Sequence, residues 1–86
     1  NIMGKYSVED WGVLAVKFIL KDISEGIRRP PFQITMKLVG DSIGTTPQNI
    51  GLAAHNIEKI MNENGYSVRI FGGTPRKIEI TSRPLK

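Results

Sequence analysis

Eighty-six residues with 40% hydrophobic content carry enough apolar surface for one modest core, which points to a single domain. With no cysteine and one histidine, the chain has no means of building a disulfide framework, a thiolate zinc site or a multi-histidine metal centre, and no cofactor is expected. The net charge of +4 favours an anionic partner, while the apolar runs are too short for a membrane span or a signal peptide, so a soluble cytoplasmic protein (nuclear in a eukaryote) is the expectation. The chain opens on Asn1, which leaves two readings: a segment of a longer protein, or a natural start at Met3.

The first predicted element is a helix over 7–25. Ser7 and Asp10 have the spacing of a capping box, with Asp in place of the usual Glu or Gln, and Gly26 supplies the stop. On a helical wheel Val13, Val16, Leu20, Ile23 and Ile27 form one apolar stripe. Trp11, Leu14, Ala15 and Phe18 form a second on nearly the opposite side. A small domain needs one such stripe for its core, so the second needs its own cover. Two covers are open: a homodimer contact through Trp11, Leu14 and Phe18, or burial within the monomer by Pro84 and Leu85 or by a strand at 32–34.

Ile27, Arg28, Arg29, Pro30 and Pro31 make a stiff, extended connector. Phe32, Ile34, Met36 and Leu38 then alternate with polar residues, a pattern that suits a strand as well as a helix. The adopted reading is a very short strand at 32–34 followed by a helix over 35–43 with Thr35 as its cap. A single long strand over 32–39 would give the order αβαββ instead. In the helical reading Leu38, Val39 and Ile43 supply the apolar stripe. Gly40 permits a close helix crossing, and Gly44 provides a turn residue free to take positive φ.

A third helix is predicted over 47–64, with Thr46 as N-cap, Pro47 at the first helical position and Gly65 as the stop. Ile50, Ala53, Ala54, Ile57, Ile60 and Met61 recur at spacings of three and four and line one face. Gln48, Leu52, His55 and Lys59 fall on the opposite face, with Gly51, Asn62 and Glu63 near its margins. Two helices about a glycine turn have the layout of a helix-turn-helix. Val39-Gly40 stands where Leu-Ala is common in that motif and Ile43-Gly44 where Leu-Gly is common.

Tyr66, Val68 and Ile70, then Ile78 and Ile80, alternate with polar residues on either side of Gly72-Gly73-Thr74-Pro75, which predicts a β-hairpin over 66–82. A helix-turn-helix followed at once by a hairpin resembles the winged-helix family, in which the hairpin is the wing. The resemblance covers residues 8–82 and is specific for fold rather than for biological role. It implies an α+β domain with a three-helix core and a C-terminal wing. It further implies a recognition helix that enters the major groove of double-stranded DNA, with the wing on the adjacent backbone or minor groove.

Charge is distributed in keeping with that expectation. Residues 1–27 carry three lysines against four acids, 28–64 four bases against three acids, and 65–86 five bases against Glu79, for net values of −1, +1 and +4. The excess sits on the wing and tail through Arg69, Arg76, Lys77, Arg83 and Lys86, with a second patch at Arg28, Arg29 and Lys37. On the helix, Gln48 and Asn49 suit adenine, His55 and Lys59 suit phosphate or guanine, Leu52 suits a thymine methyl, and Thr46 stands at the docking end. Thr74 and Arg76 at the hairpin tip are the expected wing contacts. The same residues also suit an ordinary solvated helix face and a solubilising hairpin.

Catalysis has little support. Gly40-Asp41-Ser42 superficially resembles a hydrolase nucleophile motif, yet His55 is the one imidazole base and no oriented acid or oxyanion hole accompanies it. The glycine pair at 72–73 has neither nucleotide-binding spacing nor a helix after it, so no small-molecule ligand is expected. Two functional readings remain. One is a double-stranded DNA-binding protein in transcription regulation, replication or partition, and the other is a winged-helix protein-interaction module of a larger assembly.

Overall fold

A computed structural model describes residues 6–83; Met3, Pro84, Leu85 and Lys86, invoked above, lie outside that span. The chain order is α1 (Val8–Ser24), β1 (Phe32–Thr35), α2 (Met36–Ile43), α3 (Pro47–Leu52), α4 (Ala54–Glu63), β2 (Tyr66–Phe71) and β3 (Lys77–Ser82). The strands form one antiparallel sheet in the order β1-β3-β2. The fold class is therefore α+β.

Local chemistry explains most helix starts. The Ser7 hydroxyl accepts from the Asp10 N–H at 3.1 Å while the Asp10 carboxylate accepts from the Ser7 N–H at 2.9 Å, closing the capping box. Thr35 Oγ1 accepts from the Leu38 N–H at 3.0 Å, so a polar hydroxyl ends β1 and opens α2. Residues 36–43 are helical, and the long-strand alternative over 32–39 is not what forms. Thr46 repeats the device on α3 through the Asn49 N–H at 3.1 Å, with Pro47 at the first position.

The core lies between the sheet and the helices. β3 is the central strand, and its Ile78 and Ile80 are fully buried, each flanked across the sheet by Ile34 or Phe32 on one side and Ile70 or Val68 on the other. Val39, Ile50, Ile57 and Met61 close the core from the helical side. The turn between α2 and α3 is tight: the Gly40 carbonyl accepts from the Gly44 and Thr45 N–H groups, each at 2.8 Å, and Gly44 has φ +86°.

Two expectations need correction. The single helix expected over 47–64 is interrupted at Ala53, whose ψ of 5° departs from helical geometry. The Ala53 N–H is shared between the Asn49 and Ile50 carbonyls at 3.2 and 3.1 Å, a local tightening of the spiral. The break has a packing cause, since α3 seats on α2 and α1 whereas α4 runs along α1 and β2, and one straight axis does not serve both. The wheel reading of α1 also shifts. The face turned to the core is Gly12, Ala15, Val16 and Ile19, a seam between the two expected stripes. Because α1 packs on α2, α3 and α4 together, a wide arc is covered, and Trp11, Phe18, Leu20 and Ile23 pack half-buried against the core on either flank.

The same seam holds the buried Asp22, whose carboxylate accepts from Arg28 Nε at 2.9 Å. Its main-chain carbonyl accepts from the Ile27 and Arg28 N–H groups at 2.9 and 3.3 Å. Arg28, expected as part of a basic patch, is thus spent on closing the turn after α1.

Candidate nucleic-acid interface

The start of α2, the outer face of α3 and the loop 72–76 between β2 and β3 enclose an open cleft of about 640 Å³. The loop 72–76 reaches α3 because β2 leaves the end of α4 and runs back alongside it, which carries the hairpin tip toward Pro47. A main-chain hydrogen bond from the Met36 N–H to the Arg76 carbonyl at 2.9 Å pins the loop's last residue to the first residue of α2.

Four of the sequence-predicted residues meet in this cleft: Gln48 and Leu52, one helical turn apart on α3, and Thr74 and Arg76 on the loop. Gly51 leaves the room between them, since a Cβ there would lie 3.7 Å from Met36 Sδ and 4.0 Å from Arg76 Nη1. Lys37 adds a second cation, and among the described residues no carboxylate lines the cleft. Lys37 Nζ lies 2.9 Å from Asp41 Oδ2, but both side chains are exposed and separated by one turn, a pairing worth about 0.3–0.5 kcal/mol that a phosphate can displace. Lys77 stands next to Arg76, exposed at the start of β3.

The remaining predicted residues lie elsewhere or are engaged locally. Thr46 caps α3, and Asn49 is half-buried with its side-chain amide donating to Thr45 Oγ1 at 2.7 Å, so it braces the turn. His55 and Lys59 belong to α4 and line a separate shallow groove of about 440 Å³ with Glu58, Asn62 and Glu63, where two carboxylates offset the lysine. Arg69 donates from Nε to Glu79 Oε1 at 2.9 Å and stacks over the Phe71 ring at 4.3 Å, so its charge is matched within the sheet. Met36, Pro47 and Pro75 line the cleft without having been expected as contacts, and Lys37, expected in a basic patch with Arg28 and Arg29, joins them there. The antiparallel pairing of β1 with β3, which sets Thr35 opposite Lys77, and the Met36–Arg76 bond that follows it bring residues 36–37 to the loop 72–76, and nothing local in the sequence announces that pairing.

Among the described residues no cluster of three or more histidines and acids is placed to hold a metal ion, and no helix is long and apolar enough to cross a membrane. No protein-family model, curated protein or solved structure matches the chain. The chemistry available is that of an open cleft lined, among the described residues, by two cations, one amide, one hydroxyl and apolar side chains, with no acid.

Proposed function

We propose that the chain is a winged-helix module that binds double-stranded DNA, with α3 presented to the major groove and the loop 72–76 on the adjoining backbone. The element order and the sheet order β1-β3-β2 support the winged-helix reading. The observation that carries the functional reading is the meeting of Gln48 and Leu52 with Thr74 and Arg76 in one cleft whose lining includes Lys37 and no acid. Such a lining attracts a polyanion and offers an amide and an apolar group to base edges. Transcription regulation, replication and partition are the roles this activity would serve.

Fluorescence anisotropy on a labelled duplex at two salt concentrations tests it. Three phosphate contacts, from Lys37, Arg76 and Lys77, give a log–log salt slope of about −2.7, hence roughly a fortyfold loss of affinity over a fourfold rise in salt. Undetectable or salt-insensitive duplex binding would instead favour the protein-interaction module.

Pairing of two copies through Trp11, Leu14 and Phe18 is retained as a secondary proposal on a narrower basis. These side chains are half-buried, and Trp11 and Phe18 already pack on the core, so Leu14 and the exposed Tyr6, whose ring lies 4.8 Å from that of Trp11, are what they leave for a partner. Sedimentation of the unaltered protein decides: a monomer mass at every concentration overturns the dimer.

A further inference from the structure

The cleft beside α3 is lined by two cations together with apolar side chains, a combination that phosphate contact alone does not require. Leu52 is 67% exposed, the highest value among the exposed large hydrophobic residues described, and it shares the cleft with Met36, Pro47 and Pro75. A single exposed leucine is ordinary. One that stands one turn from Gln48, beside a glycine that keeps the space open and in one cleft with two cations, has the setting of a ligand contact.

Among the groups that base pairs present in the major groove, the apolar one is the C5-methyl of thymine; the rest are hydrogen-bond donors and acceptors. 5-Methylcytosine carries the same group on the same ring carbon. We propose that this cleft takes a pyrimidine C5-methyl group, with Leu52 against the methyl, Gln48 on the neighbouring base edge, and Lys37 and Arg76 on the flanking phosphates. The proposal rests on the duplex-binding reading above. DNA is the occupant that the charges favour, because the lining has cations and no acid and the 65–86 segment carries a net +4.

Uracil differs from thymine by this methyl alone, which makes the test chemical. Binding is measured to an alternating adenine–thymine duplex and its uracil counterpart, and to an alternating guanine–cytosine duplex and its 5-methylcytosine counterpart. Burial of one methyl predicts about fourfold tighter binding per methyl engaged. The thymine arm and the 5-methylcytosine arm report separately which source of the methyl is accepted. The preference should vanish in Leu52→Ala, which removes the contact, and in Gly51→Leu, which fills the space; circular dichroism checks that each is folded.

Equal affinity within both pairs, thymine against uracil and 5-methylcytosine against cytosine, with binding retained, overturns the methyl inference and leaves the duplex reading standing. A methyl preference undiminished in both variants overturns its assignment to this cleft. Failure to bind any of the duplexes at low salt overturns the duplex reading, and this inference with it.

Discussion

Gly40→Ala perturbs the tightest backbone approach around the α2–α3 turn. A Cβ at position 40 would lie 2.8 Å from the Thr45 carbonyl oxygen, 3.1 Å from Thr46 C and 3.2 Å from the Thr46 oxygen. These are backbone atoms, and Thr45 has little freedom to retreat. Its N–H is bonded to the Gly40 carbonyl at 2.8 Å and its hydroxyl is held by the Asn49 amide at 2.7 Å. Overpacking of this kind costs about 1–3 kcal/mol, and the tethering places Gly40→Ala at the upper end. Alanine returns roughly 1 kcal/mol through its helix propensity. The net is a loss of about 2 kcal/mol, or roughly 8–16 °C in Tm for a domain of this size. Thermal and urea unfolding followed by circular dichroism and Trp11 fluorescence measure it. Gly51→Ala is the control: its Cβ meets only ordinary contacts at 3.7 and 4.0 Å, so propensity prevails and stability rises by about 0.5–1 kcal/mol. A Gly40→Ala protein that melts at or above the parent, or a Gly51→Ala protein that falls as far, would refute the steric argument.

Other outcomes follow from the same geometry. Arg76→Ala should weaken duplex binding across sequences and flatten the log–log salt slope by about 0.9, whereas Arg69→Ala, whose charge Glu79 already matches, should leave the slope unchanged; titrations at several salt concentrations separate the two. Thr46→Ala removes the α3 cap and should lower stability by about 1 kcal/mol in urea melts, with Thr46→Ser restoring most of it. Asp22→Ala leaves the partly buried Arg28 without its carboxylate and should destabilise by about 1–3 kcal/mol; an unchanged urea midpoint would show that the pair contributes nothing.

Features with a local cause are legible in the order of residues alone. Ser7, Thr35 and Thr46 satisfy N–H groups three residues away, so each hydroxyl marks a helix start. Gly44 has the positive φ that its place in the turn requires, and the alternation at 66–70 and 78–80 matches the paired strands of the hairpin. The acidic capping partner at Asp10 likewise acts within one turn.

Features set by distant neighbours are not legible in that way. Periodicity alone predicts one helix through Ala53, and the break there arises because α2, α1 and β2 pull its two halves onto different seats. The wheel splits the apolar arc of α1 into two stripes, yet three helices packing together bury the line between them, with Ile19 at its centre. Basic residues that count alike in the sequence part company in space: Arg28 closes a turn on Asp22, Arg69 is matched by Glu79, and Arg76 is left facing α3. Residues 36–37 join 73–76 at the cleft through a hydrogen bond between positions far apart in the chain, from Met36 to Arg76. Caps and turns are decided within one helical turn, so sequence reveals them; a cleft is made by which surfaces meet, and that is known only once the whole core has packed.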